Sequence, residues 1–156
     1  MDQIKLDIER ASKAIRDSRF VEALSFLESN LAKDPYHIDS LYFAAVCSRY
    51  LKNYKDSQNY LNNLLSQAPD MGRAYQELGH LNKVMGKEED SISYYRQACE
   101  LNPALISSWK SLFNYFVKKN NKPAADHAYE QINKLESLPS ILLYISQILN
   151  EGRLAI

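Results

Sequence analysis

The chain alternates between helix-forming runs that mix apolar and polar positions and short breaks that are polar or carry proline. Pro35, Pro69 and Pro103 close three of these runs and stand 34 and 34 residues apart. Proline cannot continue a helix and holds the residue before it out of helical geometry, so each marks the same stop in successive units. Within the units the breaks are the polar stretches 17–19, 52–54, 86–87 and 120–123, the last with Pro123 placed for the first turn of a following helix. The pattern predicts helices over 3–17, 20–33, 38–51, 54–67, 72–85, 88–101, 106–119, 122–136 and 139–150.

Other positions repeat in the same phase. Twelve residues before each proline, and 34 further on, stand Ala23, Ser57, Ser91 and Ala125, all small. Twenty-four before stand Ala11, Ala45 and Gly79, with Phe113 breaking the series. Eight before stand Leu27, Leu61, Tyr95 and Tyr129, all large. Small residues let two helices approach closely, and large ones fill the space between neighbouring pairs. Gly79 is therefore expected at a contact too tight for a side chain.

Composition agrees. Of 156 residues only four are Gly and five Pro, fewer turn residues than a sheet protein of this size needs, while hydrophobic residues at 46% suffice for one domain with one core. Lys plus Arg and Asp plus Glu are both 19, so the basic surplus of a nucleic-acid binder is missing. No apolar run approaches the roughly 18–20 residues that span a bilayer, and the first ten residues carry acids where a signal peptide needs an apolar stretch. Two cysteines make no disulfide framework, so a cytoplasmic location with reduced thiols is expected.

The third unit carries Ala-Tyr-Gln-Glu-Leu-Gly at 74–79, Gly-Lys-Glu-Glu-Asp-Ser at 86–91, then Tyr95, Ala98 and Pro103. The fourth has Trp109, Leu112, Ala125 and Tyr129. These resemble the tetratricopeptide repeat family over nearly the whole chain. The resemblance implies an all-α, right-handed α-solenoid of antiparallel helix pairs in a single domain. Its repeats fall at about 4–37, 38–71, 72–105 and 106–137, with a partial fifth at 138–156. Asp7 and Arg10 stand where the first repeat should be apolar, which suits a terminal repeat with one solvated side. The fifth unit has Ile141, Leu142, Tyr144, Ile145, Ile148 and Leu149 on one helix, and 151–156 reads as the opening of its second helix, the alternative being that the first helix is itself the cap. That first helix is expected to pack on the fourth repeat through Tyr129 and Ile132 and to leave an apolar strip through which copies self-associate. The stretch 135–156 also resembles bacterial proteins in which such repeats precede a sulfotransferase domain. This resemblance implies an alternative role as the N-terminal arm of an enzyme whose catalytic domain lies beyond residue 156.

Catalytic and metal constellations are missing from the sequence itself. No phosphate-gripping Gly-rich loop and no Gly-x-Ser-x-Gly elbow occur, and His37, His80, His127, Cys47 and Cys99 do not sit at metal-ligand spacings. No enzyme activity, cofactor or metal is expected. His37 is expected solvated in a turn, and the cysteines buried and inert. Glu88, Glu89 and Asp90 open a helix, and Lys118, Lys119 and Lys122 surround the end of one, each where its charge complements the dipole.

The family resemblance implies that the first helix of each pair lines a concave face. The lining positions are Lys5, Ile8, Ser12, Ile15 and Arg16; Asp39, Tyr42, Val46, Arg49 and Tyr50; Arg73, Gln76, His80, Lys83 and Val84; and Ser107, Lys110, Asn114, Val117 and Lys118. Seven are basic and one acidic in a chain whose net charge is zero, and a one-signed surface focuses its field on a ligand of opposite sign. The candidate partner-binding residues are Tyr42, Arg49, Tyr50, Arg73, Gln76, His80, Lys83, Lys110, Asn114 and Lys118. They suggest a non-catalytic module that binds an acidic or carboxylate-bearing protein segment in a basic, Tyr-containing groove. Some family members hold a peptide's terminal carboxylate with a fixed Lys, Asn, Lys and Arg set. Here Ile8, Ser12, Phe43, Arg73 and Glu77 occupy those places and only Arg73 fits, which rejects that clamp.

Overall fold

The computed structural model describes residues 2–151. Among them are nine helices: α1 (Gln3–Arg16), α2 (Phe20–Lys33), α3 (Ile38–Tyr50), α4 (Tyr54–Gln67), α5 (Gly72–Val84), α6 (Glu88–Leu101), α7 (Ile106–Lys118), α8 (Lys122–Glu136) and α9 (Ser140–Asn150). Each is where the sequence predicts it, with ends differing by one residue at most. The opening of a further helix expected over 151–156 lies, beyond Glu151, outside the described residues. The chain divides into two compact units between Pro69 and Asp70. Unit 1 holds the pairs α1–α2 and α3–α4, with α2 packed on α3; unit 2 holds α5–α6 and α7–α8, with α6 packed on α7.

Two kinds of reversal produce the pairs. Inside each pair one residue turns left-handed: Ser18 (φ 58°), Lys52 (63°), Gly86 (76°) and Asn120 (55°), in the 34-residue phase. Each lies in the same capping pattern. In the first, the Ser18 N–H donates to the Ile15 carbonyl (2.9 Å) and the Arg19 N–H to the Ala14 carbonyl (2.8 Å), closing the exposed carbonyl end of α1. Lys52–Asn53, Gly86–Lys87 and Asn120–Asn121 repeat it. Between pairs, Asp34, Ala68 and Asn102 precede the prolines with φ of −136°, −134° and −144°, the extended geometry proline imposes.

The fourth pair ends differently. No proline stands at 137, so α8 runs to Glu136, and Ser137 stays helical (φ −74°, ψ −13°) before Pro139. The expected docking of α9 on the fourth repeat is not made through Tyr129, although Ile132 is buried. Tyr129 is 53% exposed, and the C-terminal half of α9 instead bonds to Asn102 and Ala104 in the α6–α7 turn.

Small residues set the pair spacing. In unit 1, Ala11, Ala14, Ala23, Leu27, Ala44 and Cys47 form a buried cluster. In unit 2, Ile92, Tyr95, Cys99, Leu112, Phe116 and Ala125 form another. The small slot facing each glycine or alanine also contributes a hydrogen bond where it is serine. Ser57 Oγ donates to the Ala45 carbonyl (2.9 Å) and Ser91 Oγ to the Gly79 carbonyl (3.0 Å). A Cβ built on Gly79 would lie 2.6 Å from the Tyr95 ring, which is fully buried and held by a 2.6 Å bond between its hydroxyl and His80 Nδ1.

Two expectations about polar residues are corrected. Asp7 does not face solvent: it is buried, accepts from Gln3 Nε2 (2.9 Å) and lies 3.6 Å from Arg10. His37 is half-buried and caps α3, its Nδ1 accepting the Ser40 N–H (3.3 Å) and meeting the Ser40 hydroxyl at 2.8 Å.

Two glycine substitutions separate packing from backbone strain. Gly79→Leu is expected to cost roughly 1–3 kcal/mol by overpacking, although leucine is the better helix former. Gly86 has open space around its missing Cβ, so Gly86→Ala acts only through its left-handed backbone and should cost about 1–2 kcal/mol. Chemical denaturation measures both, and combining Gly79→Ala with Tyr95→Leu should recover stability that Gly86→Ala cannot. An unchanged midpoint for Gly79→Leu contradicts the close contact.

Candidate functional site

The sequence-derived site residues fall in both units. In unit 1, Tyr42 is half-buried and edge-on to Phe43, with centroids 5.4 Å apart. Tyr50, the last residue of α3, stacks on Phe20 at 4.4 Å, and the Arg49 guanidinium lies 4.5 Å from its ring centre. These residues form an aromatic–cation stack at one end of the helix pair.

In unit 2, α5 presents Arg73, Gln76, His80 and Lys83, and α7 presents Lys110, Asn114 and Lys118. Several of these side chains also tie elements together. Gln76 Oε1 accepts from the Ser108 N–H (3.1 Å) and hydroxyl (2.8 Å), joining α5 to α7. His80 meets the Tyr95 hydroxyl. Arg73 Nε donates to Glu151 Oε2 at 2.7 Å, with the two side chains 16% and 1% exposed. Lys110 pairs with Glu136 (2.8 Å) and Lys118 with Glu88 (3.0 Å), both pairs solvent-exposed. Three of the four cations counted on this face thus have carboxylates supplied by α6, α8 or the residue after α9.

The structure brings Lys83, Asn114 and Lys118 together around a recess of about 250 Å³ between the end of α5, the start of α6 and α7. Ser111, Tyr115 and Tyr95 line it too. Glu88, at its edge, is held below the usual carboxylate range, chiefly by the hydrogen bond from Lys118. The Tyr115 hydroxyl donates to both Glu89 oxygens (3.1 and 2.9 Å), which pushes the phenol above its usual range because ionisation would lose that bond.

A second recess, of about 340 Å³, escaped the sequence reading. Trp109, Leu112 and Phe116 of α7 line it with Cys99, Ala124 and His127, and Arg96 lies 5.2 Å from the Phe116 ring centre. Its apolar residues follow ordinary core spacing, so nothing in the sequence distinguished them from packing. Burial pushes the Cys99 thiol up to about 12, which leaves it protonated and unreactive at neutral pH. Among the described residues no three His, Cys, Asp or Glu are grouped to hold a metal, and no helix is long and apolar enough to cross a membrane.

The sequence model of the tetratricopeptide repeat family matches residues 72–105. No curated protein matches the chain. Among solved structures, MamA (41 to the end) from Desulfovibrio magneticus RS-1 is 21% identical with a TM-score of 0.69, the match covering 86% of this chain and 76% of that one. The first repeat domain of Spaghetti (RPAP3), bound to the HSP90 peptide SRMEEVD, is 19% identical with a TM-score of 0.65, covering 78% and 94%. The K341M mutant of Thermobaculum terrenum O-GlcNAc transferase is 19% identical with a TM-score of 0.69, covering 73% of this chain and 22% of that one. These are likenesses of fold.

The Glu88–Lys118 pair gives a pH test. Glu88 has a depressed pKa in the folded state, so the stability it contributes is complete above its unfolded value of about 4.3 and is lost as pH falls through the lower folded value. Lys118→Met should return the Glu88 titration to the ordinary range and flatten the loss of stability over that window. Carboxyl-carbon NMR titration checks it; an unmoved Glu88 midpoint contradicts the pairing.

Proposed function

We propose that this chain, a protein of tetratricopeptide repeats, is a non-catalytic interaction module that takes an extended acidic peptide on the Lys83–Lys118 recess of unit 2. The observation that carries the reading is the convergence of two exposed lysines from different helices beside hydrogen-bonding Ser111, Asn114 and Tyr115. The lysines supply charge and the neutral groups supply direction. Glu88 does not block the site. An ion pair this exposed is worth little, so a ligand carboxylate exchanges with it at little cost.

The solved Spaghetti domain supports the ligand class by analogy, since its peptide SRMEEVD carries three acids and one base. Arg73 enters this reading as a cation already holding a carboxylate, while Gln76 and His80 serve as struts that fix α5 against α7 and α6. Lys110 lies on the same helix as Lys118 and pairs with Glu136. The stack of Arg49 and Tyr50 belongs to unit 1, and the proposal does not depend on it.

Changing Lys83 and Lys118 together to Glu should weaken binding of a glutamate-rich peptide at least tenfold, about 1.4 kcal/mol. The difference should shrink as salt screens it. Isothermal titration at low and high ionic strength decides it. Equal affinity for parent and variant, or a loss indifferent to salt, rules out a charge-led site.

A further inference from the structure

We infer that Arg73, Asn102 and the first turn of α5 form a carboxylate-binding site that Glu151 fills from within the chain, making α9 a latch that an acidic peptide displaces. The inference rests on the acidic-peptide reading of unit 2 and adds to it a second subsite and its regulation.

The site is built for a carboxylate. Glu151 Oε1 accepts from the Arg73 backbone N–H and from Asn102 Nδ2, each at 3.1 Å, while Oε2 accepts from Arg73 Nε at 2.7 Å. The two oxygens are held by a guanidinium, an amide and the positive end of a 13-residue helix. The Glu151 side chain is 1% exposed, so the carboxylate is enclosed by these donors. Gly72 makes the enclosure feasible, because a Cβ there would lie 2.7 Å from the Cβ of Asn102.

The helix that delivers Glu151 is otherwise thinly attached. Helices α1 to α8 each bury at least three residues, and α9 buries none. Its Ile141, Leu142, Tyr144 and Leu149 are exposed. Leu143, Ile145 and Ile148 are only half-buried, and the specific bonds that fix the helix are polar: Gln147 Nε2 to the Ala104 carbonyl (3.0 Å), Asn102 Nδ2 to the Gln147 carbonyl (3.1 Å), Asn150 Nδ2 to Asn102 Oδ1 (3.2 Å) and the Glu151 contacts. A segment with so little buried apolar surface opens at low cost. An incoming carboxylate replaces the Glu151 bonds one for one, so the exchange loses little.

Geometry links this site to the recess. Arg73 and Lys83 stand ten residues apart on one helix, about 15 Å along its axis. About five extended peptide residues cover that distance. A peptide with acids at both ends of such a stretch engages both sites, and only the one at Arg73 requires α9 to leave.

The probe is N-acetylated hexaglutamate, with free and amidated C-termini, titrated into the full chain at low salt. Amide hydrogen exchange of residues 140–151 is followed alongside. Glu151→Ala should bind the peptide at least fivefold more tightly than the parent, the peptide should speed exchange of α9 in the parent, and Arg73→Gln should free α9 without peptide and abolish the gain. Equal gains for the two peptide forms assign the site to side-chain carboxylates; a gain confined to the free acid assigns it to a chain terminus. If Glu151→Ala binds no more tightly and α9 exchange ignores the peptide, the latch is wrong, while binding that still depends on Lys83 and Lys118 leaves the recess standing. If neither parent nor variant binds, both readings fall. Glu151→Gln, which keeps the side-chain shape and removes the charge, is read by the same criteria should circular dichroism show Glu151→Ala misfolded.

Discussion

Helices joined by a short turn can share a core only if their backbones come close, and in the first three pairs of this chain that closeness depends on side chains no larger than serine. Ala11 and Ala23, Ala45 and Ser57, and Gly79 and Ser91 occupy the facing slots and are all buried. The consequence is clearest in unit 2. With no Cβ on Gly79, the Tyr95 ring packs close against α5 and its hydroxyl reaches His80, the next residue along the chain. That contact, with Gln76 bridging to Ser108, sets α5 against α6 and α7, and so sets where Lys83 stands relative to Lys118. The proposed site thus inherits its geometry from the packing of the helices beneath it.

The fold was largely legible because its punctuation is local chemistry. Three prolines in phase, with small and large residues in fixed slots behind them, locate every helix to within a residue. The left-handed turn residues were harder. Gly86 advertises its geometry, but Ser18, Lys52 and Asn120 adopt the same backbone without glycine, held there by the capping bonds that close the preceding helix. Asp7 misled because a lone acid at an apolar position reads as solvated, whereas Gln3 and Arg10, one turn away on either side, let it lie buried. The course of α9 was illegible for a similar reason. Its start keeps the repeat phase, but with no proline at 137 Ser137 stays helical, unlike the extended residues that end α2, α4 and α6.

The candidate site was half legible. Counting charges along the first helix of each pair found the basic residues. It could not find their partners, because Glu88, Glu136 and Glu151 come from elements distant in sequence. The surface inferred as one-signed is in unit 2 a set of ion pairs of unequal strength. The exposed pairs yield readily to a competing carboxylate, and the enclosed pair at Arg73 yields only with its helix. On the proposed reading, that inequality makes the Lys83–Lys118 recess the open subsite and Arg73 the guarded one.

Amide chemical-shift mapping of the isotopically labelled chain locates the acidic ligand residue by residue. Titration with hexaglutamate should shift the amides of Lys83, Ser111, Asn114, Tyr115 and Lys118 first and saturably, with little change in α1 to α4. Shifts centred on unit 1, or on Trp109 and His127 at the apolar recess, would contradict it.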